Sequence, residues 1–397
     1  MISQRASALA PSETLKITAR AKELQREGKP VISLSAGEPD FKTPRFICDA
    51  AIQAINDGHH GYTPNTGTPE LKELIVAKLK RDNGLEYKTN QVIVSNGAKQ
   101  SVGFAMLAVL DPGDEVIIPA PYWVSYPAMA ELAEATTVVV RTPFENDYKI
   151  TPEQLEAAIT AKTKLFVLCT PSNPTGSCYS EDELQALADV FRKYPQILIL
   201  SDEIYEYISF DAPHVSFAKA APDLKERIIT VNGFSKGYAM TGWRLGYLAA
   251  ATEIVEAVNK LQSQETSAPS TISQKAGEAA LKGGLEEIYA MRDSFKLRRD
   301  FVVDSLNSIP GVKCFKPKGA FYAFPDVSAY FGKTTPNGQK IDTSTDLIMY
   351  LLDDVQIATV PGDAFGEPNG IRLSYATSMA NLEEALSRLK KGLAALV

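Results

Sequence analysis

The stretch Thr230–Gly246, TVNGFSKGYAMTGWRLG, decides the fold. It continues an apolar, β-branched run, Ile228-Ile229-Thr230-Val231, the pattern of a strand buried on both faces. Asn232-Gly233-Phe234-Ser235 ends that strand, and Lys236 follows at once. Arg244 comes eight residues later, between Trp243 and Leu245 and inside Gly242…Gly246. A lysine among small residues at a strand end can form a Schiff base with a carbonyl cofactor. An arginine close behind it can grip a phosphate with its planar fork. On its own, a Ser-Lys pair reads as a surface loop, so the surrounding chain has to carry the distinction.

Outward from this stretch, strand and helix patterns alternate over residues 90–250. Strands are predicted at Gln91–Val94, Glu115–Ile118, Val138–Val140, Lys164–Cys169, Gln196–Leu200, Arg227–Val231 and Leu245–Ala249. Capping boxes at Thr151-Pro152-Glu153-Gln154 and Ser180-Glu181-Asp182-Glu183 start helices between them. Alternation of this kind implies an α/β domain on a mainly parallel sheet. Upstream, the sequence predicts a polar arm over residues 1–30 with a helix near Thr14–Glu27. A turn-rich loop follows at Ser35–Phe41, then helices over Pro44–Ile55 and from Thr68-Pro69-Glu70. Downstream, Ile254–Ile309 reads as helical, broken at Glu265–Ser270 and Gly283-Gly284. A polar loop over Thr334–Thr345, strands near Gly319–Phe324 and Ile371–Tyr375 and a helix over Asn381–Leu396 imply a smaller α+β domain. The expected division is 1–45 for the arm and part of the small domain, 46–290 for the large domain and 291–397 for the rest of the small one.

Ligands of open α/β sheets bind beyond the C-terminal strand ends. Four polar groups fall at such ends here: Gly97-Ala98-Lys99, Asn173, Asp202 with Tyr205, and Ser235-Lys236. Each suits a phosphorylated pyridine aldehyde. The Gly97-Ala98-Lys99 helix start offers backbone N–H groups to a phosphate. Asp202 can keep a ring nitrogen protonated, which makes the ring an electron sink. Asn173 and Tyr205 can bond a ring oxygen, Ser235 and Arg244 can add phosphate contacts, and Trp123 or Tyr122 can stack on the ring. Taken singly, Asp202 reads as a helix cap, Pro171–Gly176 as a turn and Arg372 as a strand-edge charge. Their shared placement after strands of one sheet favours a site.

Composition narrows the alternatives. The chain has 397 residues, 45% hydrophobic and 22% charged, as ordinary globular proteins do. Three histidines and four scattered cysteines without a CxxC argue against a zinc site or a Ser-His-Asp triad and for a reducing compartment. Net charge −7 argues against nucleic-acid binding. No apolar run approaches the ~20 residues a bilayer span needs, and no apolar signal core opens the chain. A cytoplasmic location is expected.

The chain resembles the class I aminotransferases of fold type I, and most closely bacterial-type aspartate aminotransferases. The resemblance runs from Ala36-Gly37-Glu38-Pro39 to Arg372-Leu373-Ser374-Tyr375 and rests on Tyr122-Trp123, Asn173-Pro174-Thr175-Gly176, Ser201-Asp202-Glu203-Ile204-Tyr205, Ser235-Lys236 and Gly242-Trp243-Arg244-Leu245-Gly246. It implies pyridoxal 5'-phosphate as cofactor and amino acids and 2-oxo acids as substrates. Lys236 is then the Schiff-base lysine and proton shuttle, and Asp202 and Tyr205 are its catalytic companions. Asn173 and Tyr205 hold the ring hydroxyl, and Ala98, Lys99, Ser235 and Arg244 surround the phosphate. Tyr62 reaches that phosphate from the second subunit of a homodimer. Trp123 stacks on the ring, and Arg372 binds the substrate α-carboxylate with Asn173 and Gly37. No metal is implied.

One departure bears on substrate. Animal-type aspartate enzymes bind the distal carboxylate with a partner-chain arginine, yet Gln262–Pro269 contains none. In the bacterial type a lysine at the position of Lys99 takes that role. The expected reaction is therefore transfer of an amino group from aspartate to 2-oxoglutarate. The alternatives are an aromatic or prephenate-type aminotransferase, a β-lyase on the same scaffold, or a pyridoxal-phosphate-binding regulator. No basic segment of helix-turn-helix size precedes the domain to favour the last.

Overall fold

The computed structural model describes residues 2, 3, 6, 7, 9 and 13–397. Of the polar arm, residues 1, 4, 5, 8 and 10–12 lie outside the described residues; its helix runs over Glu13–Arg26. The strands are β1 (Ile32–Ser33), β2 (Val92–Ser95), β3 (Glu115–Ala120), β4 (Thr136–Arg141), β5 (Thr163–Cys169), β6 (Leu198–Asp202), β7 (Ile228–Gly233), β8 (Gly246–Ala249), β9 (Tyr322–Ala323), β10 (Ile357–Ala358), β11 (Val360–Pro361) and β12 (Ile371–Ser374).

Seven of them form one sheet in the order β2-β8-β7-β6-β5-β3-β4. Every neighbouring pair is parallel except those of β8, which runs antiparallel to β2 and β7. The C-terminal ends of β2, β3, β5, β6 and β7 therefore share one edge with the N-terminal end of β8. Side chains alternate between two cores, as the pleat requires. Val92, Val94, Ile117, Phe166 and Leu168 pack into one, while Ile93, Val116, Ile118, Leu165 and Val167 pack into the other. Phe166 is fully buried, and truncating such a ring to alanine costs ~3–5 kcal/mol. Both predicted capping boxes form, at Thr151/Gln154 and Ser180/Glu183.

A third core gathers Ile17, Leu24, Val31 and Leu34 with residues from Phe295 to Leu396. It carries the antiparallel set β11-β12-β9 and the parallel pair β1-β10. The helix Glu286–Asn307 runs unbroken from one core to another: Ile288 and Met291 pack with the large sheet, Phe295 and Leu306 with the third core. Two helices of two turns or more escaped the sequence reading, Ser125–Leu132 and Ser344–Asp353, as did the single turn Phe217–Ala220. The second shortens the loop expected to reach Thr345, because the Thr343 side chain accepts from the Asp346 N–H and caps a helix there. Among the described residues, no helix is long and apolar enough to cross a membrane.

Candidate active site

A cleft of about 460 Å³ opens at the shared strand edge, between the large sheet and the third core. Every predicted site residue lines it except Tyr62 and Tyr122, the alternative to Trp123. The topology explains the convergence. Lys236 follows β7, Asp202 ends β6, Asn173 follows β5, Trp123 follows β3, and Lys99 sits in the helix after β2. Arg244 precedes antiparallel β8 and so reaches the same edge.

Lys236 is partly buried, and its Nζ donates to the Gly37 carbonyl. Burial, and next the positive charge of Arg372, push its pKa down to about 8. At neutral pH an appreciable fraction of this amine is therefore uncharged and nucleophilic, unlike an ordinary lysine.

Asp202 is 4% exposed. Its Oδ2 accepts from the Tyr126 hydroxyl at 2.7 Å, and its Oδ1 from the Ile204 N–H at 3.3 Å. Burial raises its pKa to about 6 against the pull of the Tyr126 hydrogen bond. The alternative of a helix cap does not hold, since the residues after Asp202 form turns rather than a helix. Glu203, the next residue, projects to the opposite side and bonds Ser201, Ser216, His214 and the Phe217 N–H. Tyr205 is buried with its hydroxyl 2.9 Å from that of Tyr322.

The helix Ala98–Val109 starts without any side-chain cap, so its first N–H groups suit an anion from outside the helix. Two glycines shape this corner. A Cβ on Gly97, whose φ is +86°, would lie 2.4 Å from Arg244 Nη2, and one on Gly246 would lie 2.3 Å from the Ala98 nitrogen. Arg244 is held by the carbonyls of Thr241 at 2.8 Å and Asn96 at 3.2 Å. Lys99 Nζ lies 5.3 Å from the centre of the Trp123 ring. Burial, with Arg244 second, lowers the Lys99 pKa.

Arg372, on β12, is 2% exposed. Nη1 donates to Asn173 Oδ1 at 3.0 Å and Nη2 to the Ser35 carbonyl at 2.7 Å. Among the described residues its Nε, which is buried, has no hydrogen-bond partner, and the centre of the Tyr322 ring lies 4.6 Å from the guanidinium carbon. A buried cation that lines the cleft suits an anion that enters it.

Two expectations need correction or relocation. Tyr122 does not face the cleft: it packs on Gly366, where a Cβ would come within 2.6 Å of its ring. That leaves Trp123 as the aromatic of the pair in the cleft. Tyr62 is 99% exposed on the loop beside Pro269 and Ser270, outside the cleft. Sequence reasoning missed Tyr126, Tyr322, Glu38 and Thr18, all of which line the cleft. Tyr126 had a faint signal: it lies three residues beyond Trp123, although Trp123 itself precedes the helix Ser125–Leu132. Tyr322 had none, because its strand comes from the other core.

The family model for aminotransferase class I and II matches residues 29–389. A bifunctional aspartate aminotransferase and glutamate/aspartate-prephenate aminotransferase from Petunia hybrida is 51% identical over 396 residues, 99% of this chain and 82% of that protein. The crystal structure of the aspartate aminotransferase from Rhizobium meliloti superposes with a TM-score of 0.97 at 46% identity, covering 100% of both chains. The Thermus thermophilus aspartate aminotransferase with maleate gives a TM-score of 0.92 at 38% identity, covering 98% of this chain and 99% of that one.

Proposed function

This chain belongs to the class I and II aminotransferase family, and on that premise we propose that it transfers an amino group from aspartate to 2-oxoglutarate, with pyridoxal 5'-phosphate as resident cofactor. One observation carries the substrate class. Arg372, buried, and Lys99, at the exposed mouth, set two cations in the cleft that holds the Lys236 amine. Two separated cations suit a dicarboxylate.

The residues present fit the cofactor. The uncapped helix start at Ala98 and Lys99, with Ser235 and Arg244, suits its phosphate. Buried Asp202 suits a positively charged ring nitrogen, since a lone anion at that depth is costly. Asn173 and Tyr205 suit the ring hydroxyl, and Trp123 suits the ring face. When bound, the cofactor supplies a carbonyl for amines and a ring that withdraws electrons from the substrate α-carbon.

The chain's own groups do the rest. Arg372, oriented by Asn173, binds the α-carboxylate, with Gly37 beside it. Lys99 binds the distal carboxylate. Lys236 Nζ takes the proton from the substrate α-carbon in one half-reaction and returns a proton to that carbon in the other. Asp202 stays anionic and opposes loss of positive charge from the ring nitrogen. The exposed Tyr62 supports a homodimer in which it completes the partner's phosphate site. The division into a large domain over 46–290 and a small one built from 1–45 and 291–397 is supported by the third core, most of whose residues come from the two outer segments. Four free cysteines suit the reducing cytoplasm.

A second reading, an aromatic or prephenate-type substrate, is favoured by the Petunia hybrida relative, which is named for prephenate as well as aspartate. A panel of aspartate, glutamate, phenylalanine, prephenate and cystathionine with suitable partners separates the two. Aspartate with 2-oxoglutarate should give the highest kcat/KM. Preference for phenylalanine or for prephenate would overturn the aspartate assignment.

A further inference from the structure

We propose that Tyr126 is a positioning residue for Asp202, whose hydroxyl keeps that carboxylate anionic and fixed at the floor of the cleft. The inference rests on the reading of Asp202 as partner of a ring nitrogen.

The geometry is specific. Tyr126 lies in the helix Ser125–Leu132 and is 2% exposed. Its hydroxyl donates to Asp202 Oδ2 at 2.7 Å, a short, charge-assisted bond. Trp123 meets the Tyr126 ring edge-on, with centroids 5.2 Å apart and planes at 85°. That contact limits the swing of the ring and so fixes where the hydroxyl sits. Among the described residues the remaining donor to Asp202 is the Ile204 N–H, at a longer 3.3 Å.

Four titratable groups face Asp202 from the elements around it. Cys169 is its register partner on β5, and burial keeps that thiol neutral. Glu203, next in the chain, disfavours a second negative charge, while Lys236 and Tyr126 favour it. Lys236 loses this influence whenever its amine is neutral or engaged in chemistry. Tyr126 then remains the one side-chain donor to Asp202 among the described residues. Its phenol is pushed well above the ordinary value by burial and by Asp202, so the proton stays on oxygen. Without that donor, burial acts on Asp202 almost unopposed, and the carboxylate takes up a proton nearer neutral pH.

Tyr126→Phe keeps the ring against Trp123 and removes only the oxygen. The dissociation constant of pyridoxal 5'-phosphate is measured by equilibrium dialysis from pH 5 to 9, with kcat and KM for aspartate over the same range. The acidic limb of cofactor affinity should move up by about one to two pH units. At pH 6 kcat should fall about ten- to hundred-fold, with KM for aspartate little changed. In an Asp202→Asn background, Tyr126→Phe should add nothing further. Incorporation of 3-fluorotyrosine at position 126, a stronger donor, should move the limb the opposite way, and it serves equally if Tyr126→Phe does not fold. An unmoved limb, or an equal loss in the Asp202→Asn background, overturns the proposal and leaves Tyr126 a packing residue. If the unaltered protein binds no pyridoxal 5'-phosphate at any pH, the reading of the site falls first, and this proposal with it.

Discussion

Arg372 and Asn173 are joined by a buried hydrogen bond of 3.0 Å that crosses from the third core to the large sheet. The guanidinium is thereby fixed by a residue on the opposite wall of the cleft that both residues line. Arg372→Lys replaces a planar fork by a point charge. Under the proposed role, KM should rise about ten- to hundred-fold, the loss of one charge-assisted bond. The rise should appear for aspartate, glutamate and phenylalanine alike, because all share the α-carboxylate. A rise for one substrate class only would remove Arg372 from that role.

Lys236 should stand apart from the other lysines by its titration. A lysine ordinarily has a pKa near 10.5, while burial and Arg372 put this one at about 8. Lowering the pKa favours the neutral amine, so nucleophilic reactivity rises with pH through about 8 and levels off above it. Pulse labelling with trinitrobenzenesulfonate, read by peptide mass spectrometry, should give that midpoint in the cofactor-free protein. Borohydride reduction with pyridoxal 5'-phosphate should mark the same peptide. Lys236→Ala should abolish transamination, yet still bind the cofactor through Asp202, Arg244 and the helix start. Near wild-type turnover by Lys236→Ala without added amine would refute the assignment.

Asp202→Asn tests charge at the floor of the cleft. An amide keeps the shape but cannot hold a cationic ring nitrogen by charge. Cofactor affinity should weaken, and the rate should fall by at least about a hundred-fold, the order expected for loss of a preorganised charge. An N-methylated cofactor analogue carries its positive charge permanently, so it should restore part of the rate. No recovery at all would count against the proposed pairing.

The large sheet was legible because several of its strands are nearly wholly apolar. Lys164–Cys169 and Arg227–Val231 have no competing helical period, and their ends coincide with polar clusters. That placement also made Lys236, Asp202, Asn173 and Lys99 legible as one site. The small unit was less so. Its strands β9, β10 and β11 are two residues long, too short for a periodic signal. The helix Ser344–Asp353 carries a capping box, but it uses Asp346 in place of the usual Glu or Gln. Tyr126 and Tyr322 are core aromatics by burial. What distinguishes them is where their hydroxyls end, at Asp202 and Tyr205, which only the tertiary structure sets.

Lys99 decides how far the substrate assignment holds. It is exposed at the mouth of the cleft, next to the uncapped helix start, with its amine over Trp123. Two roles are open to it: a contact to the cofactor phosphate, or a partner for the distal carboxylate of aspartate. They predict different things of Lys99→Ser. If the amine pairs with the distal carboxylate, its loss leaves that anion without its cation. Solvent at the mouth screens part of the effect, so the cost is ~1–3 kcal/mol, roughly five- to hundred-fold in kcat/KM for aspartate. Phenylalanine has no distal charge, so its kcat/KM should hold or improve in the added room. Higher salt should weaken aspartate turnover in the wild type more than in Lys99→Ser, since only the former relies on that ion pair. The measurement is kcat/KM for both substrates in both proteins, with pyridoxal 5'-phosphate affinity as control. A parallel fall for the two amino acids, with weakened cofactor binding, would make Lys99 a phosphate ligand and leave the distal carboxylate to another group.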